Sequence, residues 1–432
     1  MGNLNMSDDQ RPFLGCVADD VTGATDLAIN LVKGGMRVVQ FMTVPSTDQL
    51  QGLDCDAVVV ALKSRSLPAQ EAVKLSLATI DALRSGGCER FYFKYCSTFD
   101  STEDGNIGPV AEAMLRHLDE RKTVVCPAFP AAGRTVYHGH LFVKGQLLSE
   151  SGMQHHPLNP MTDSNLVRFL GRQTKLKVGL ITTNEIAAGT DQTAAAIQRA
   201  VDDGKQLLVT DTCGDEDLAT IAAAIVDHPL VTGGSGIGRY LPAAWRKKGL
   251  IGETVHAPTL PAIKGNALLI VGSCSEMTQR QVAYMLDRCR SFRVDVDGLM
   301  QDFELQISIL QAAVKEIGDQ TLMIYSTAAA SAIEPIHEKY RRAKVCQTVE
   351  RFHGRIAEQL VGDFGFRKII VAGGETSGAV MSALGVSKLQ IGPEICTGVP
   401  WTTTLDDSEI AVALKSGNFG EESFFETALA MF

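Results

Sequence analysis

Residues 13–35 read FLGCVADDVTGATDLAINLVKGG, which places a strand pattern, two carboxylates and a helix pattern in direct succession. The apolar run over residues 13–18 predicts a buried strand. The apolar residues after it recur at the spacing of a single helix face, and they are Ala24, Leu27, Ala28, Leu31 and Val32. Gly34 and Gly35 then end the helix. The segment is therefore predicted to be a βα unit, with Asp19 and Asp20 in its turn.

Short β-branched runs alternate with helical patterns through the rest of the chain. Before the middle of the chain, strands are predicted at 37–44, 57–62, 90–95, 123–126, 178–182 and 206–210, with helices at 69–83 and 193–201. Later strands are predicted at 267–271, 292–296, 321–325, 368–372 and 410–414, and later helices at 276–289, 302–317 and 349–362. This alternation predicts an α/β fold with mostly parallel sheets.

The clearest interruption of the alternation is the stretch HAPTLPAIKG at residues 256–265, with two prolines and a terminal glycine. Proline and glycine clusters of this kind mark linkers, because they suit neither helix nor strand interiors. We therefore predict two α/β domains, an N-terminal domain over residues 1–255 and a C-terminal domain over residues 266–432.

Composition limits the functional classes. The chain has 432 residues and a formal net charge of −10, which disfavours nucleic acid and anionic membranes as partners. No apolar run reaches the roughly 18 to 20 residues of a membrane-spanning helix, and the first residues lack the apolar core of a secretory signal. Ten scattered cysteines without a C-x-x-C pair favour reduced thiols over zinc sites or disulfides. We expect a cytoplasmic protein, and a homo-oligomer is left open.

The first candidate site is the acidic turn ADDVTGA at residues 18–24. It lies where a strand ends and a helix begins, the edge at which open α/β sheets bind ligands. A kinase that acts on a hydroxyl needs a carboxylate to orient and deprotonate it, and acidic groups suit Mg²⁺. Asp19 and Asp20 are therefore candidate catalytic residues, with Thr22 beside them. The alternative is that one of these side chains only caps the helix.

The second candidate site is KYCSTFDST at residues 94–102, followed by GNIGP at residues 105–109. Lys94 ends a predicted strand and a loop rich in hydroxyls follows, so that exposed N–H groups would receive a carboxylate or phosphate. A helix is predicted to begin with Pro109 at its first position. The alternatives are a polar loop with a surface lysine and a Schiff-base lysine, for which no apolar pocket can be inferred.

Arg134 and two histidines lie in a third polar region, GRTVYHGH at residues 133–140. Arg134 has the planar fork that binds a substrate carboxylate. His138 and His140 have the H-x-H spacing of zinc ligands, but no third ligand follows at a typical spacing. We therefore predict hydrogen bonding to loops or substrate for these histidines.

Four glycine-containing stretches remain. The stretch TGGSGIG at residues 232–238 departs from a dinucleotide fingerprint, because Arg239 follows and no G-x-G-x-x-G is formed. By contrast, IIVAGGETSG at residues 369–378 has the order of strand, glycine loop and helix that cradles phosphates. Two further strands end in small residues, at VGSCS (271–275) and LKSGNFG (414–420), and Ser275 is a candidate helix cap. Together these three strand ends predict a nucleotide cleft.

These motifs resemble the two-domain four-carbon acid sugar kinases. The resemblance rests on segments that follow one another along nearly the whole chain: residues 18–24, 94–108, PAFPAAGR at 127–134, HPLNPMTD at 156–163, AGGETSG at 372–378 and GVPW at 398–401. It implies an N-terminal domain that binds the acid sugar, a C-terminal domain that binds ATP with Mg²⁺, and an active-site cleft between them.

Within that family, residues 94–102 resemble the 3-oxo-tetronate kinase branch. Threonate and erythronate kinases tend to show Lys-x-Asp-Ser-Thr-x-Arg-Gly, whereas this chain has Cys96 in place of the aspartate and Asp100 in place of the arginine. The implied reaction transfers the ATP γ-phosphoryl group to the terminal 4-hydroxyl of a 3-oxo-tetronate (3-dehydro-erythronate). A kinase for D-threonate or D-erythronate, a nicotinamide-dependent dehydrogenase and a non-catalytic sugar-acid sensor remain as alternatives.

The resemblance also implies the site residues. The catalytic candidates are Asp20, which we expect to position and deprotonate the hydroxyl, together with Asp19 and Lys94. The substrate-binding candidates are Thr22, Ser97, Asp100, Asn106 and Arg134. The nucleotide-binding candidates are Ser273, Ser275, Gly374, Glu375, Thr376, Ser377, Gly378 and Gly417. The general base, the metal ligands, the substrate stereochemistry and the order of binding are left open.

Overall fold

The computed structural model describes residues 11–155, 159–254, 259–315, 320–405 and 409–432. Its chain divides into two units, Met1–Ala257 and Pro258–Phe432. Residues 156–158 of the HPLNPMTD motif and residues 256–258 of the predicted linker lie outside the described residues. In the described residues, no helix combines the length and the apolar character needed to cross a membrane.

The first unit contains a parallel sheet of eight strands. The strands of this unit are β1 (Leu14–Ala18), β2 (Val38–Phe41), β3 (Ala57–Ala61), β4 (Arg90–Lys94), β5 (Thr123–Cys126), β6 (Arg134–Tyr137), β7 (His140–Val143), β8 (Gln146–Leu147), β9 (Val178–Ile181), β10 (Leu207–Thr210) and β11 (Leu230–Gly233). The parallel sheet has the order β2-β3-β1-β4-β11-β5-β10-β9, and β6, β7 and β8 form a separate antiparallel sheet.

The helices of the first unit connect these strands. They are α1 (Val21–Lys33), α2 (Thr47–Leu50), α3 (Ala69–Ser85), α4 (Ile107–His117), α5 (Leu166–Gln173), α6 (Thr183–Ala187), α7 (Thr190–Asp202), α8 (Asp215–Ala224) and α9 (Leu241–Lys247). Central strands are buried along their whole length, as in β1 and β3, which explains their continuous apolar sequences.

The second unit contains a seven-stranded sheet in the order β13-β14-β12-β15-β18-β17-β16. Its strands are β12 (Asn266–Val271), β13 (Arg290–Arg293), β14 (Leu322–Tyr325), β15 (Phe366–Ala372), β16 (Lys388–Cys396), β17 (Val399–Thr404) and β18 (Ala411–Lys415). Its helices are α10 (Glu276–Met285), α11 (Val296–Gln301), α12 (Phe303–Val314), α13 (Ala330–Tyr340), α14 (Arg342–Phe364), α15 (Gly374–Ala383) and α16 (Phe424–Leu429). Strand β17 pairs antiparallel with both β16 and β18, and the pairs among the other five strands are parallel.

The prediction of an α/β fold with mostly parallel sheets is confirmed, with local corrections. The predicted strand at 292–296 ends at Arg293, because Asp295 caps a new helix by accepting a hydrogen bond from the Gly298 N–H at 3.1 Å. The helix predicted to begin at Pro109 begins at Ile107 instead. The helix predicted over 276–289 ends at Met285, and residues 316 and 317 of another predicted helix lie outside the described residues.

Candidate functional site

Three parallel strands of the first unit end at the same level. Ala18, the last residue of β1, pairs with Ala61 of β3 on one side and with Lys94 of β4 on the other. The backbone continues this alignment, since the Asp19 N–H donates to the Lys94 carbonyl at 3.0 Å and the Arg65 N–H donates to the Asp19 carbonyl at 3.1 Å. The loops after these strands therefore meet at one edge of the sheet.

Arg65 is the centre of the charged groups at this edge. Its Nε and Nη2 atoms donate to the two carboxylate oxygens of Asp19 at 2.9 and 2.8 Å. Nη2 also donates to Asp20 Oδ1 at 2.6 Å, and Nη1 donates to Asp100 Oδ2 at 3.2 Å. Arg65 was not among the predicted site residues. A sequence signal was present, because Arg65 lies in the loop after the buried strand β3, as Asp19 lies just after the buried strand β1.

Asp20 has two roles in the structure. It caps helix α1, since its Oδ1 accepts from the Gly23 N–H at 3.1 Å, and its Oδ2 accepts from the Thr22 hydroxyl at 2.7 Å. Asp20 therefore does cap the helix, and the cap also holds its carboxylate beside Arg65. Burial alone would raise the pKa of Asp20, but Arg65, Lys94 and these hydrogen bonds hold that pKa below its ordinary value. For Asp19, burial outweighs Arg65 and the pKa is raised.

Lys94 is buried, and its Nζ donates to the carbonyl of Tyr95 at 2.9 Å. Its positive charge acts on Asp19, Asp20 and a third carboxylate, Asp26. A Cβ on Gly23 would collide with the Asp20 carboxylate and lie 3.1 Å from Lys94 Nζ, so glycine leaves room for both side chains at the first turn of helix α1. Lys94 is thus a charge partner of these three carboxylates.

The predicted substrate-binding residues after β4 fall into two groups. Asp100 joins the charged cluster through Arg65, and its Oδ1 accepts from Asn159 Nδ2 at 3.0 Å. Asn106 does not face a ligand with its amide, since Nδ2 contacts the carbonyls of Ser64, Arg65 and Leu67 at 2.7, 3.1 and 3.2 Å. Asn106 therefore holds the loop that carries Arg65. Ser97 is also buried.

Arg134 and Asp26 extend the cluster. Arg134 begins β6, and its Nη1 donates to the Ala132 carbonyl. Asp26 lies one helical turn beyond Thr22, and it accepts a hydrogen bond from Ser235 Oγ. Burial raises the pKa of Asp26 to about 6, although Lys94, Ser235 and Arg134 oppose that rise. Asp26 was not predicted, because its position in a helical pattern gives no sign of burial next to two cations.

Cys96 lies within electrostatic reach of both Arg65 and Arg134. His140 Nδ1 lies 2.8 Å from the His138 carbonyl oxygen, and His140 Nε2 lies 3.3 Å from Asn165 Nδ2. In the described part of the chain, no group of three or more His, Cys, Asp and Glu side chains is arranged to hold a metal ion. The prediction of hydrogen bonding within loops fits the ring of His140.

In the second unit, the loops after β12, β15 and β18 converge. Gly373, between β15 and α15, has a φ of +125°, and a Cβ there would lie 3.1 Å from both Ser273 N and Thr376 Oγ1. A Cβ on Gly417 would lie 2.8 Å from Ser275 Oγ. The structure thus brings together Ser273, Ser275, Thr376 and Gly417, which were predicted as nucleotide-binding residues.

The first turn of helix α15 begins at Gly374, and no side chain among the described residues caps it. Its N–H groups therefore remain available to an anion, as at phosphate-binding helix ends. Glu375 is exposed at this end, whereas Ser377 and Gly378 are buried within the helix. Ser275 caps the neighbouring helix α10, since its Oγ accepts from the Thr278 N–H at 3.3 Å, as predicted.

The glycines of residues 232–238 have a packing role. The whole stretch is buried, with its first residues in β11 and residues Gly236–Arg239 in a 3₁₀ helix. A Cβ on Gly236 would lie 2.6 Å from the Ala128 carbonyl oxygen, so the close approach of two backbones requires glycine. A buried stretch of this kind does not present a dinucleotide-binding loop.

Two family models match the chain in the same order as the two units. Residues 14–241 match a sugar-binding N-terminal domain, and residues 268–425 match a nucleotide-binding C-terminal domain. Fold and site together therefore define a two-domain class, with one domain for a sugar and one for a nucleotide.

The 3-oxo-tetronate kinase of Cupriavidus necator is 47% identical over 97% of this chain and 97% of its own length. That of Pseudomonas fluorescens is 48% identical, again over 97% of each chain. The enzyme of Salmonella typhimurium is 43% identical over 95% of this chain and 97% of its own. The chain therefore belongs to the family of these 3-oxo-tetronate kinases, and the predicted resemblance is confirmed.

Solved structures agree with this assignment. A Salmonella typhimurium LT2 protein has a TM-score of 0.85 at 42% identity and covers 97% of this chain and 99% of its own. A Haemophilus influenzae protein has a TM-score of 0.76 at 39% identity, with 97% and 100% covered. The first was described as a tRNA synthase, whereas the relative from the same Salmonella strain is named a 3-oxo-tetronate kinase.

Proposed function

We propose that this protein is an ATP-dependent kinase that phosphorylates the terminal 4-hydroxyl of a 3-oxo-tetronate. The observation that carries the proposal is the near full-length similarity to 3-oxo-tetronate kinases from several bacteria. The local geometry supports it, since one unit has a cluster of carboxylates and cations and the other has three convergent loops of small residues. None of the relatives described above is a threonate kinase, an erythronate kinase or a dehydrogenase by name.

The acceptor site lies in the first unit in this proposal. Asp20 is only partly buried and keeps an ionised carboxylate at neutral pH, because Arg65 and Lys94 lower its pKa. Phosphoryl transfer proceeds through a loose transition state, so the acceptor hydroxyl needs orientation more than a strong base. Asp20 therefore orients the 4-hydroxyl and accepts its proton, while Lys94 and Arg134 offset the negative charge of substrate and phosphoryl group.

The nucleotide site lies in the second unit, at the loops that hold Ser273, Ser275, Gly374, Thr376 and Gly417. Mg²⁺ fits these loops as a companion of ATP, because Mg²⁺ keeps several waters and binds substrate phosphates with one or two protein oxygens. The loop hydroxyls and the exposed Glu375 carboxylate are of that type. When bound, the ion would neutralise charge on the β- and γ-phosphates.

The test is ADP release by the purified protein with ATP and Mg²⁺ over a panel of four-carbon acids. The panel contains both 3-oxo-tetronate enantiomers, the threonates and the erythronates. Turnover on one 3-oxo-tetronate is expected. Turnover only on a threonate or erythronate would support the assignment as a kinase and refute the proposed substrate. Binding without turnover would favour a sensor, and tight NADH binding would favour a dehydrogenase.

Two further predictions concern the protein in the cell. The ten cysteines are all free thiols, which suits a reducing compartment, and we propose a cytoplasmic enzyme. We propose small molecules, a sugar acid and ATP, as its ligands, without nucleic acid or membrane. Size-exclusion chromatography with light scattering would establish whether it forms a homo-oligomer.

A further inference from the structure

Lys415 is the last residue of β18, and it is fully buried. Its ammonium donates to three oxygens, which are the Ser416 carbonyl at 3.0 Å, the Gly417 carbonyl at 2.9 Å and Thr278 Oγ1 at 3.3 Å. An ammonium has three N–H donors, so these contacts use all of them. Lys415 therefore holds the loop after β18 against the first turn of helix α10.

The same residue also joins the third loop. Its carbonyl accepts a hydrogen bond from the Gly373 N–H at 2.8 Å, at the turn into helix α15. On the other side, the Thr278 hydroxyl donates to the Gly417 carbonyl at 2.8 Å and accepts from Ser275 Oγ at 3.0 Å. Lys415 and Thr278 thus connect all three loops to which nucleotide-binding residues are assigned.

The charge of Lys415 has no carboxylate partner among the described residues. Its neighbours are neutral: Thr278 on α10, Phe424 on α16, and Ser416 and Gly417 on its own loop. Burial lowers its pKa to about 7, and the Cys396 sulfur on β16 would oppose this effect if ionised. Lys94, the buried lysine of the first unit, instead lies among carboxylates. A buried cation without a counter-charge suits a site that receives an anion.

We propose that Lys415 is the positioning residue of the nucleotide site, where it fixes the three loops and places a positive charge behind the ATP phosphates. This inference rests on the proposed function, because it takes the anion to be ATP. Since the ammonium is fully hydrogen-bonded and buried, it acts through the loops and their electrostatic field, not by direct contact with ATP.

The experiment compares the wild-type protein with Lys415→Met, which keeps the side-chain length and removes the charge. Titration calorimetry is expected to show an ATP Kd raised by about 10- to 100-fold, the usual worth of hydrogen bonds to a charged group. The KM for the sugar acid should stay within about twofold. The matched control is Lys368→Met, which removes a partly buried lysine from the opposite end of β15 and should leave the ATP Kd unchanged.

Thr278→Val is the second variant, because it removes the hydroxyl between Ser275 and the Gly417 carbonyl and retains Lys415. It should also raise the ATP Kd, and it carries the test if Lys415→Met does not fold. An unchanged ATP Kd in a folded Lys415→Met protein, or an equal rise in the KM for the acid, would overturn the proposal.

The pH dependence is a readout that a purely structural role would not change. Above about pH 7.5 the ATP phosphates are fully ionised. A further change in the ATP Kd with pH therefore comes from titration of a group on the protein. Wild-type affinity should weaken toward about pH 9 as Lys415 loses its proton, and Lys415→Met should lack this dependence. A wild type that binds ATP but phosphorylates no acid would refute the proposed function and leave this comparison intact. A wild type that does not bind ATP would refute both.

Discussion

At the scale of single residues, Arg65 connects carboxylates that are far apart in the sequence. Asp19 and Asp20 precede it by about 45 residues, and Asp100 follows it by 35. These pairs meet because β1, β3 and β4 are parallel neighbours that end together. The strand ends could be read from the sequence, but the pairing could not, because it depends on strand order.

Arg65→Lys should keep the charge and lose the two-pronged contact with Asp19, since lysine has no planar fork. We expect kcat to fall by about 100-fold and the KM for ATP to stay unchanged. The measurement is steady-state kinetics with each substrate varied in turn. The control is Arg37→Lys, because Arg37 also bridges two aspartates, Asp54 and Asp56, away from this edge. Equal losses in both variants would show that only stability had changed.

Asp20→Asn retains an acceptor oxygen for the helix cap and removes the negative charge. We expect kcat to fall by about 10²- to 10⁴-fold, the usual contribution of a positioned proton acceptor, while the protein stays folded. Circular dichroism and ADP release measure the two properties. Asp295→Asn is the control, because Asp295 caps α11 by the same contact. Full turnover by a folded Asp20→Asn protein would exclude Asp20 as the proton acceptor.

At the scale of elements, buried strands were the most predictable features, because uninterrupted Val, Ile and Ala runs need two covered faces. The strand at 123–126 and the start of the helix at 69 agree with the structure. The antiparallel pair β16 and β17 was not predicted. Its register shifts twice along its length, so its alternation of apolar and polar residues is broken. The first residues of helices were harder to predict. They depend on capping contacts such as that of Asp295, which the pattern of apolar residues does not show.

A substitution at Gly373 tests whether the loops around helix α15 bind the nucleotide. Its φ of +125° disfavours any side chain, and a Cβ would press on Ser273 and Thr376. Gly373→Ala should therefore raise the KM for ATP by about tenfold or more, with a smaller effect on the KM for the acid. Gly385→Ala is the control, since Gly385 also has a positive φ, at +66°, but lies beyond the other end of α15 with open space around it. Similar KM values for ATP in both variants would contradict this role of Gly373.

At the scale of the whole molecule, one buried histidine should contribute to the decrease in the free energy of unfolding at acidic pH. His353 of α14 is fully buried, and in the described part of the chain neither of its ring nitrogens has a hydrogen-bond partner. Burial lowers its pKa to about 4, below the value of about 6.5 in an unfolded chain. Between these values only the unfolded state binds the proton, so the free energy of unfolding falls as pH falls from 6.5 to 4.

The free energy of unfolding should fall by about 3 kcal/mol over this pH range, and this fall should be absent in His353→Leu. Urea unfolding of both proteins between about pH 7 and pH 4 measures the difference. Asp26 contributes with the opposite sign, because its pKa of about 6 exceeds the unfolded value, but its effect cancels between the two proteins. His337→Leu, at a partly exposed ring of α13, should change the pH dependence less. Identical pH dependence of wild type and His353→Leu would contradict the assignment.

The functional class could be predicted from the order of motifs over the whole chain, because each motif alone occurs in many α/β proteins. The roles of the individual site residues were harder to predict from the sequence. Asn106 has polar, loop-like surroundings in the sequence, yet its amide holds the backbone at Arg65. Lys415 lies inside a quoted motif, but its burial and its contacts with two other loops depend on the folded sheet.

The most direct test of the central claim is the proton-coupled ³¹P spectrum of the product formed from ATP and a 3-oxo-tetronate. Carbon 4 of this acid carries two hydrogens and carbon 2 carries one. Phosphorylation at the terminal hydroxyl predicts a phosphomonoester signal split into a triplet. A doublet would place the phosphate on carbon 2, and release of free phosphate alone would show that ATP is hydrolysed without transfer.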